Sequence, residues 1–245
     1  MPDDAQDTLL RLEGVHTHIG EYHILQGVDL TVPRGALTVL LGRNGAGKST
    51  TLRTIMGLWQ ASRGRTSFAG RDITSASTPE IARAGIAFVP EDMGIFAGLT
   101  VQENLRLAAI AGRFDAARLD WIFGLFPALK RFWLRPGGLL SGGQKQMLAI
   151  ARAIVEPRQL LLIDEPTKGL APAIVDNLAQ AFEDLKARGT TILLVEQNFH
   201  FVRGLGDHVA VMDDGRIVHT GAMAALSADE ALQSRLLGLH AGAVH

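Results

Sequence analysis

Nine consecutive residues, Gly42-Arg43-Asn44-Gly45-Ala46-Gly47-Lys48-Ser49-Thr50, have the types and spacing for chemistry on a phosphate chain. The glycines let backbone N–H groups curl around an anion where a side chain would intrude. A helical pattern opens at Lys48, so the helix N-terminus adds its partial positive charge. The apolar run 36–41 precedes them, giving the strand, loop and helix order that a phosphate-binding loop requires. Lys48 is placed to reach the terminal phosphates of a nucleotide and the Ser49 hydroxyl to sit on Mg²⁺.

Two further clusters follow. Leu160-Leu161-Leu162-Ile163-Asp164-Glu165 is an apolar strand ending in adjacent carboxylates, which emerge at the edge of a sheet where ligands bind. Successive strand residues point to opposite sides, so the two acids take different tasks. Asp164 is expected to help hold Mg²⁺, and Glu165 to orient and polarise an attacking water. Leu140-Ser141-Gly142-Gly143-Gln144 precedes a helix and offers a second anion cradle of N–H groups and a hydroxyl. One nucleotide rarely needs two cradles. The expected use is in trans, with Ser141 and Gly143 of one copy closing over ATP held by Lys48 of another.

The elements that must position these residues alternate along the chain. Apolar strand runs at 36–41, 85–90, 159–164 and 190–196 are followed in several places by helical patterns, at 48–56, 142–155 and 173–187. That alternation predicts a mostly parallel sheet covered on both faces. Runs 8–15 and 27–32 read as strands of a partly exposed sheet, and Asp214-Gly215 between 209–213 and 216–220 predicts a hairpin. The tail 222–239 reads as helical. Residues 92–138 hold no buried-strand run and read as a helical lobe inserted between core segments 1–91 and 139–245. Trp121, Phe123, Phe126, Phe132 and Trp133 in that lobe are expected to form its own core.

Composition narrows the classes. The chain has 245 residues, 47% hydrophobic and 20% charged, the balance of a globular protein. A net charge of −1 gives no pull toward nucleic acid. No cysteine is present, which excludes disulfides and thiolate chemistry. The start, Met1-Pro2-Asp3-Asp4-Ala5-Gln6-Asp7, is acidic, unlike a signal peptide, and no apolar run is long enough to span a membrane. A soluble, cytosolic protein is expected, touching membrane only through a partner. His16 and His18 share a face of a strand and read as its exposed side, and Lys168 reads as a solvated loop residue.

In order and wording these segments resemble the ABC ATPase cassette, a P-loop NTPase of RecA-like α/β fold with an antiparallel β part and a helical lobe. Val89-Pro90-Glu91, Leu99-Thr100-Val101-Gln102-Glu103-Asn104-Leu105 and Gly169-Leu170-Ala171-Pro172 resemble the branched-chain amino acid uptake branch. Val195-Glu196-Gln197-Asn198 fits the smaller ATPase of that branch. The resemblance implies ATP and Mg²⁺ as ligands, with ATP hydrolysis coupled to import on the inner face of the membrane. The implied partners are permease subunits, a second ATPase subunit (homologous or a second copy), and indirectly a solute-binding protein, with no nucleic acid. Exporter ATPases, a catalytically weak heterodimer partner and non-transport ABC ATPases share the same motifs.

The sequence also departs from most cassettes. Glu91 stands where glutamine is usual, a further potential Mg²⁺ ligand that adds negative charge beside a triphosphate. Gln197 stands where a histidine contacts the γ-phosphate and can donate a hydrogen bond but not a charge. The adenine-stacking position falls on Ile19, with Tyr22 or His18 as alternatives. Pro172 replaces an aspartate.

Overall fold

The computed structural model describes residues 8–109 and 112–238; the acidic start and residue 239 lie outside the described residues. Two sheets form the frame. The first is antiparallel, in the order β2 (Tyr22–Pro33), β1 (Thr8–Ile19), β4 (Ala61–Phe68), β5 (Arg71–Asp72). The second has six strands, in the order β10 (Arg216–Ala222), β9 (His208–Asp213), β3 (Leu37–Gly42), β8 (Thr191–Val195), β7 (Leu160–Asp164), β6 (Ile86–Val89). Its five strands from β9 to β6 run parallel, and only β10 is antiparallel.

The apolar strands are buried on both faces, which is why they read as continuous runs rather than alternating ones. Leu161 and Ile163 face one core with Val39 and Leu194, whereas Leu160 and Leu162 face the other with Leu40 and Val195. On the first side pack α3 (Val101–Ala108), α4 (Ala116–Leu125), α5 (Pro127–Arg131), α6 (Gly142–Ile154) and α7 (Pro172–Ala187). The second side holds the antiparallel sheet, α1 (Lys48–Ile55) and α2 (Thr78–Arg83).

The expected hairpin forms at Asp214 and Gly215, both with positive φ (41° and 75°). The strands expected over 8–15 and 27–32 extend to a hairpin tip at Ile19 and Tyr22, which pair with each other. The tail is two helices, α8 (Met223–Ala228) and α9 (Glu230–Leu237), because Asp229 leaves the helical region and caps the second through Leu232 N. Between α3 and α6, Phe126 is fully buried, and Trp133 meets Phe123 edge-on at 5.2 Å. Trp121 is flanked by the guanidinium groups of Arg118 and Arg188. These aromatics are half-buried or buried in the same core cluster as α6.

Candidate nucleotide site

The C-terminal ends of β3, β6, β7 and β8 converge on one cleft. It has a volume of 320 Å³ and is lined by Ile24 and by Asn44, Gly45, Gly47, Lys48, Ser49 and Thr50 of the glycine-rich loop. Glu91, Glu165 and Lys168 complete the lining. Gly42 adopts φ 153°, and an added Cβ there would stand 2.3 Å from the Met212 carbonyl oxygen, so the loop passes β9 too closely for any side chain. Lys48 is buried, and its Nζ donates to the carbonyls of Gly42 (2.9 Å) and Arg43 (3.1 Å). The loop's own carbonyls thus hold the ammonium over the concavity that its N–H groups surround.

Opposite lie the strand-end carboxylates. Asp164 belongs to the same strand face as Leu160 and Leu162, which turns it toward α1, where Ser49 Oγ donates to its Oδ1 at 3.0 Å. Its Oδ2 is buried without a partner. Burial, and secondarily the charges of Glu165 and Glu91, push this carboxyl up to about 6, against a lowering by the Ser49 hydroxyl. A buried carboxylate with a free oxygen, a hydroxyl beside it and another carboxylate across the cleft is a donor set for a hard divalent cation. Mg²⁺ fits it.

Glu165 adopts φ 45°, a left-handed conformation that costs a non-glycine residue about 1–2 kcal/mol. Its N–H donates to the Val195 carbonyl at 2.9 Å, which anchors the turn. Its Oε1 accepts from Gln197 Nε2 at 2.6 Å and lies 3.5 Å from Lys48 Nζ. Gln197 also donates to Asn44 Oδ1 at 2.7 Å. Gly42, Arg43 and Asn44 adjoin a second cavity of 290 Å³ with Gln197 and Leu237.

Sequence reading missed two residues here. Glu196 is buried and ties two loops together: Oε1 accepts from Thr167 N (3.1 Å) and Oγ1 (2.7 Å), Oε2 from Gln197 N (3.0 Å) and Asn198 N (3.2 Å). Lys168, read as a solvated loop residue, instead donates to Glu91 Oε1 at 2.6 Å and stands 3.8 Å from Glu165 Oε2. Neither carries a local sequence signal, because a strand-end glutamate and a loop lysine look the same without their partners.

Other expected positions fall elsewhere. Ser141 is the N-cap of α6: its Oγ accepts from Gln144 N at 3.4 Å, and Gln144 Oε1 accepts from Ser141 N at 3.0 Å. Gly143 has a packing reason too, since a Cβ there would lie 2.8 Å from Ile174 Cγ2 of α7. None of Ser141, Gly142, Gly143 and Gln144 lines the cleft of Lys48. Ile19 and the exposed Tyr22 lie at the hairpin tip, and Ile24 is the hairpin residue in the cleft lining. His18 stacks on His23 at 4.2 Å, and His16 Nδ1 is 2.9 Å from His23 Nε2.

The family model described as ABC transporter matches residues 25–168. The chain is 38% identical over 232 residues to the high-affinity branched-chain amino acid transport ATP-binding protein BraG of Pseudomonas aeruginosa, covering 94% of this chain and 100% of that one. Its fold is similar to the ADP conformation of MJ1267, an ATP-binding cassette of an ABC transporter, with TM-score 0.80, 28% identity, and 95% and 99% of the two chains covered. It is also similar to the dimeric structure of MJ0796, a bacterial ABC transporter cassette, with TM-score 0.79, 25% identity and coverage of 88% and 99%. A phosphate loop facing strand-end carboxylates, matched over most of its length to such cassettes, places the chain in the ABC transporter ATP-binding family.

Proposed function

We propose that this chain hydrolyses ATP to power a membrane importer of branched-chain or other hydrophobic amino acids, or related small amides. The observation that carries the reading is the place of Glu165, within 3.5 Å of Lys48 and held by Gln197 at the rim of the glycine-rich loop. The substrate class rests on the likeness to a branched-chain amino acid transport subunit.

In this reading Lys48 and the loop N–H groups bind the β- and γ-phosphates. Lys48 and Gln197 fix Glu165 through Oε1, and Oε2, which Lys168 approaches only to 3.8 Å, accepts a hydrogen bond from the attacking water. The water oxygen bonds to the γ-phosphorus as the bridging bond to ADP breaks, and its proton passes to phosphate. Ser49 and Asp164, with Glu91 across the cleft, would hold Mg²⁺, which neutralises charge on the phosphate oxygens. Gln197 donates without carrying charge, so its task is to position Glu165 and Asn44. Ile19 and Tyr22 at the hairpin tip take the adenine side.

The α6 N-terminus completes the site in trans. Ser141 Oγ accepts from Gln144 N, so its hydroxyl proton is free for a phosphate oxygen of ATP held by a second subunit, either another copy or a homologous chain. Among the described residues no helix is long and apolar enough to cross a membrane, and attachment to the inner face comes through a permease. Its docking place is a cavity of 370 Å³ beside Glu91, lined among others by Phe88, Pro90, Met93, Ala149 and Arg152. Closure of two subunits around ATP pulls on that groove, and a solute-binding protein delivers the substrate outside.

The test is reconstitution of the chain with permease subunits of a branched-chain amino acid importer, following labelled leucine into vesicles. ATP-dependent uptake that disappears with Glu165→Gln is expected. Uptake indifferent to that substitution rejects the assignment.

A further inference from the structure

Two lysines and two glutamates line the cleft, Lys48 and Lys168 against Glu91 and Glu165, with the Asp164 carboxylate behind them. Without Lys168 the lining holds a single cation against two glutamates, a poor place for a polyanion. Lys168 stands between both acids, 2.6 Å from Glu91 Oε1 and 3.8 Å from Glu165 Oε2. Its ammonium is held up in charge by Glu91 first, through both hydrogen bond and field, and then by Glu165.

We propose that Lys168 is a charge-compensating positioning residue of the nucleotide cleft, acting through Glu91. This rests on the reading that the cleft takes ATP. The side chains of Lys168 and Glu91 are 61% and 40% exposed, so their pairing contributes little to folding. Its effect falls on a triphosphate entering beside Glu91. An uncompensated carboxylate in a half-exposed cleft repels each nearby phosphate charge, and at separations of several ångströms this weakens binding by about three- to thirtyfold. Lys168 removes that repulsion by pairing with Glu91 Oε1. Lys168 lies 120 residues along from Lys48 and 77 from Glu91 (168 − 48 and 168 − 91), so only the fold brings the three together.

The test is calorimetric titration of ATP in EDTA into the full chain and four variants: Lys168→Ala, Lys168→Arg, Glu91→Gln, and Lys168→Ala with Glu91→Gln. Melting without nucleotide is followed in parallel. Lys168→Ala is expected to weaken ATP binding about three- to thirtyfold with its melting temperature unchanged. Lys168→Arg keeps most of the affinity. Adding Glu91→Gln to Lys168→Ala restores it, a reversal that loss of a structural contact would not produce. The proposal is overturned if Lys168→Ala binds ATP as wild type does, or if its loss is equally large in the Glu91→Gln background. Failure of wild type itself to bind ATP would overturn the ATP reading along with it.

Discussion

Replacing Asp164 with asparagine removes a charge that the protein in EDTA holds at a cost. The side chain is fully buried, one oxygen has no partner, and the carboxyl is raised from 3.8 to about 6. Raising the carboxyl that far corresponds to about 3 kcal/mol of destabilisation once the group is ionised in both states. Asparagine keeps an acceptor for Ser49 but buries an amide hydrogen without a partner, which costs about 1–2 kcal/mol. The net expectation in EDTA at pH 7.5 is a gain of about 1–2 kcal/mol, or roughly 2–8 °C in Tm for a chain of this size. The sign of the pH dependence follows from the raised folded-state value. Below the unfolded value of 3.8 the group is protonated in both states and costs nothing. As pH rises toward 6 the unfolded chain ionises first, and wild type loses stability that the variant keeps. Scanning calorimetry of both proteins between pH 4.5 and 7.5 checks this, and the gap must shrink toward the acid end. Mg²⁺ with ATP should reverse the order by stabilising wild type more. A variant less stable than wild type in EDTA at pH 7.5, or a gap independent of pH, refutes the reasoning.

Other perturbations test the frame around the site. Gly42→Ala forces a Cβ to 2.3 Å from the Met212 carbonyl at φ 153°, and chemical denaturation should show a loss of about 2–4 kcal/mol with nucleotide binding impaired. Glu196→Ala leaves the N–H groups of Thr167, Gln197 and Asn198 without their acceptor. It should destabilise the chain by about 2–4 kcal/mol and lower kcat more than it raises KM, as steady-state kinetics would show. Ser141→Ala removes the α6 cap, lowering stability by about 1 kcal/mol while leaving monomer ATP affinity intact and weakening ATP-induced dimerisation measured by sedimentation.

What could be read in the sequence was local and continuous. The glycine-rich loop, the 160–165 strand and the Asp-Gly hairpin each declare themselves within a few residues, and β7 ends at Asp164, one residue past its apolar run. Strand β4 was not legible: Ala61–Phe68 is mostly exposed over its first five residues and holds its register by pairing with β1 and, at its end, with β5. The tail reads as one helix because a single aspartate that breaks and caps looks like any polar helix residue. Lys168 was misread for a deeper reason. Exposure and loop position describe it correctly, yet its partner Glu91 arrives from the turn after β6, and charge pairing across 77 positions leaves no trace in composition or period. Gly143 shows the converse, since beside its expected role at an anion cradle it has a packing reason, the close approach of Ile174, that no motif reveals.

The most direct measurement is ATP hydrolysis by the purified chain with Mg²⁺, wild type against Glu165→Gln, across protein concentration. Turnover that rises more than linearly with wild-type concentration is expected, because the proposed arrangement brings Ser141 and Gly143 of a second subunit to each site. Activity should vanish in Glu165→Gln, which should instead accumulate as an ATP-bound dimer. Wild-type turnover that stays linear with concentration and survives Glu165→Gln would contradict both the role of Glu165 and the sharing of the site between subunits.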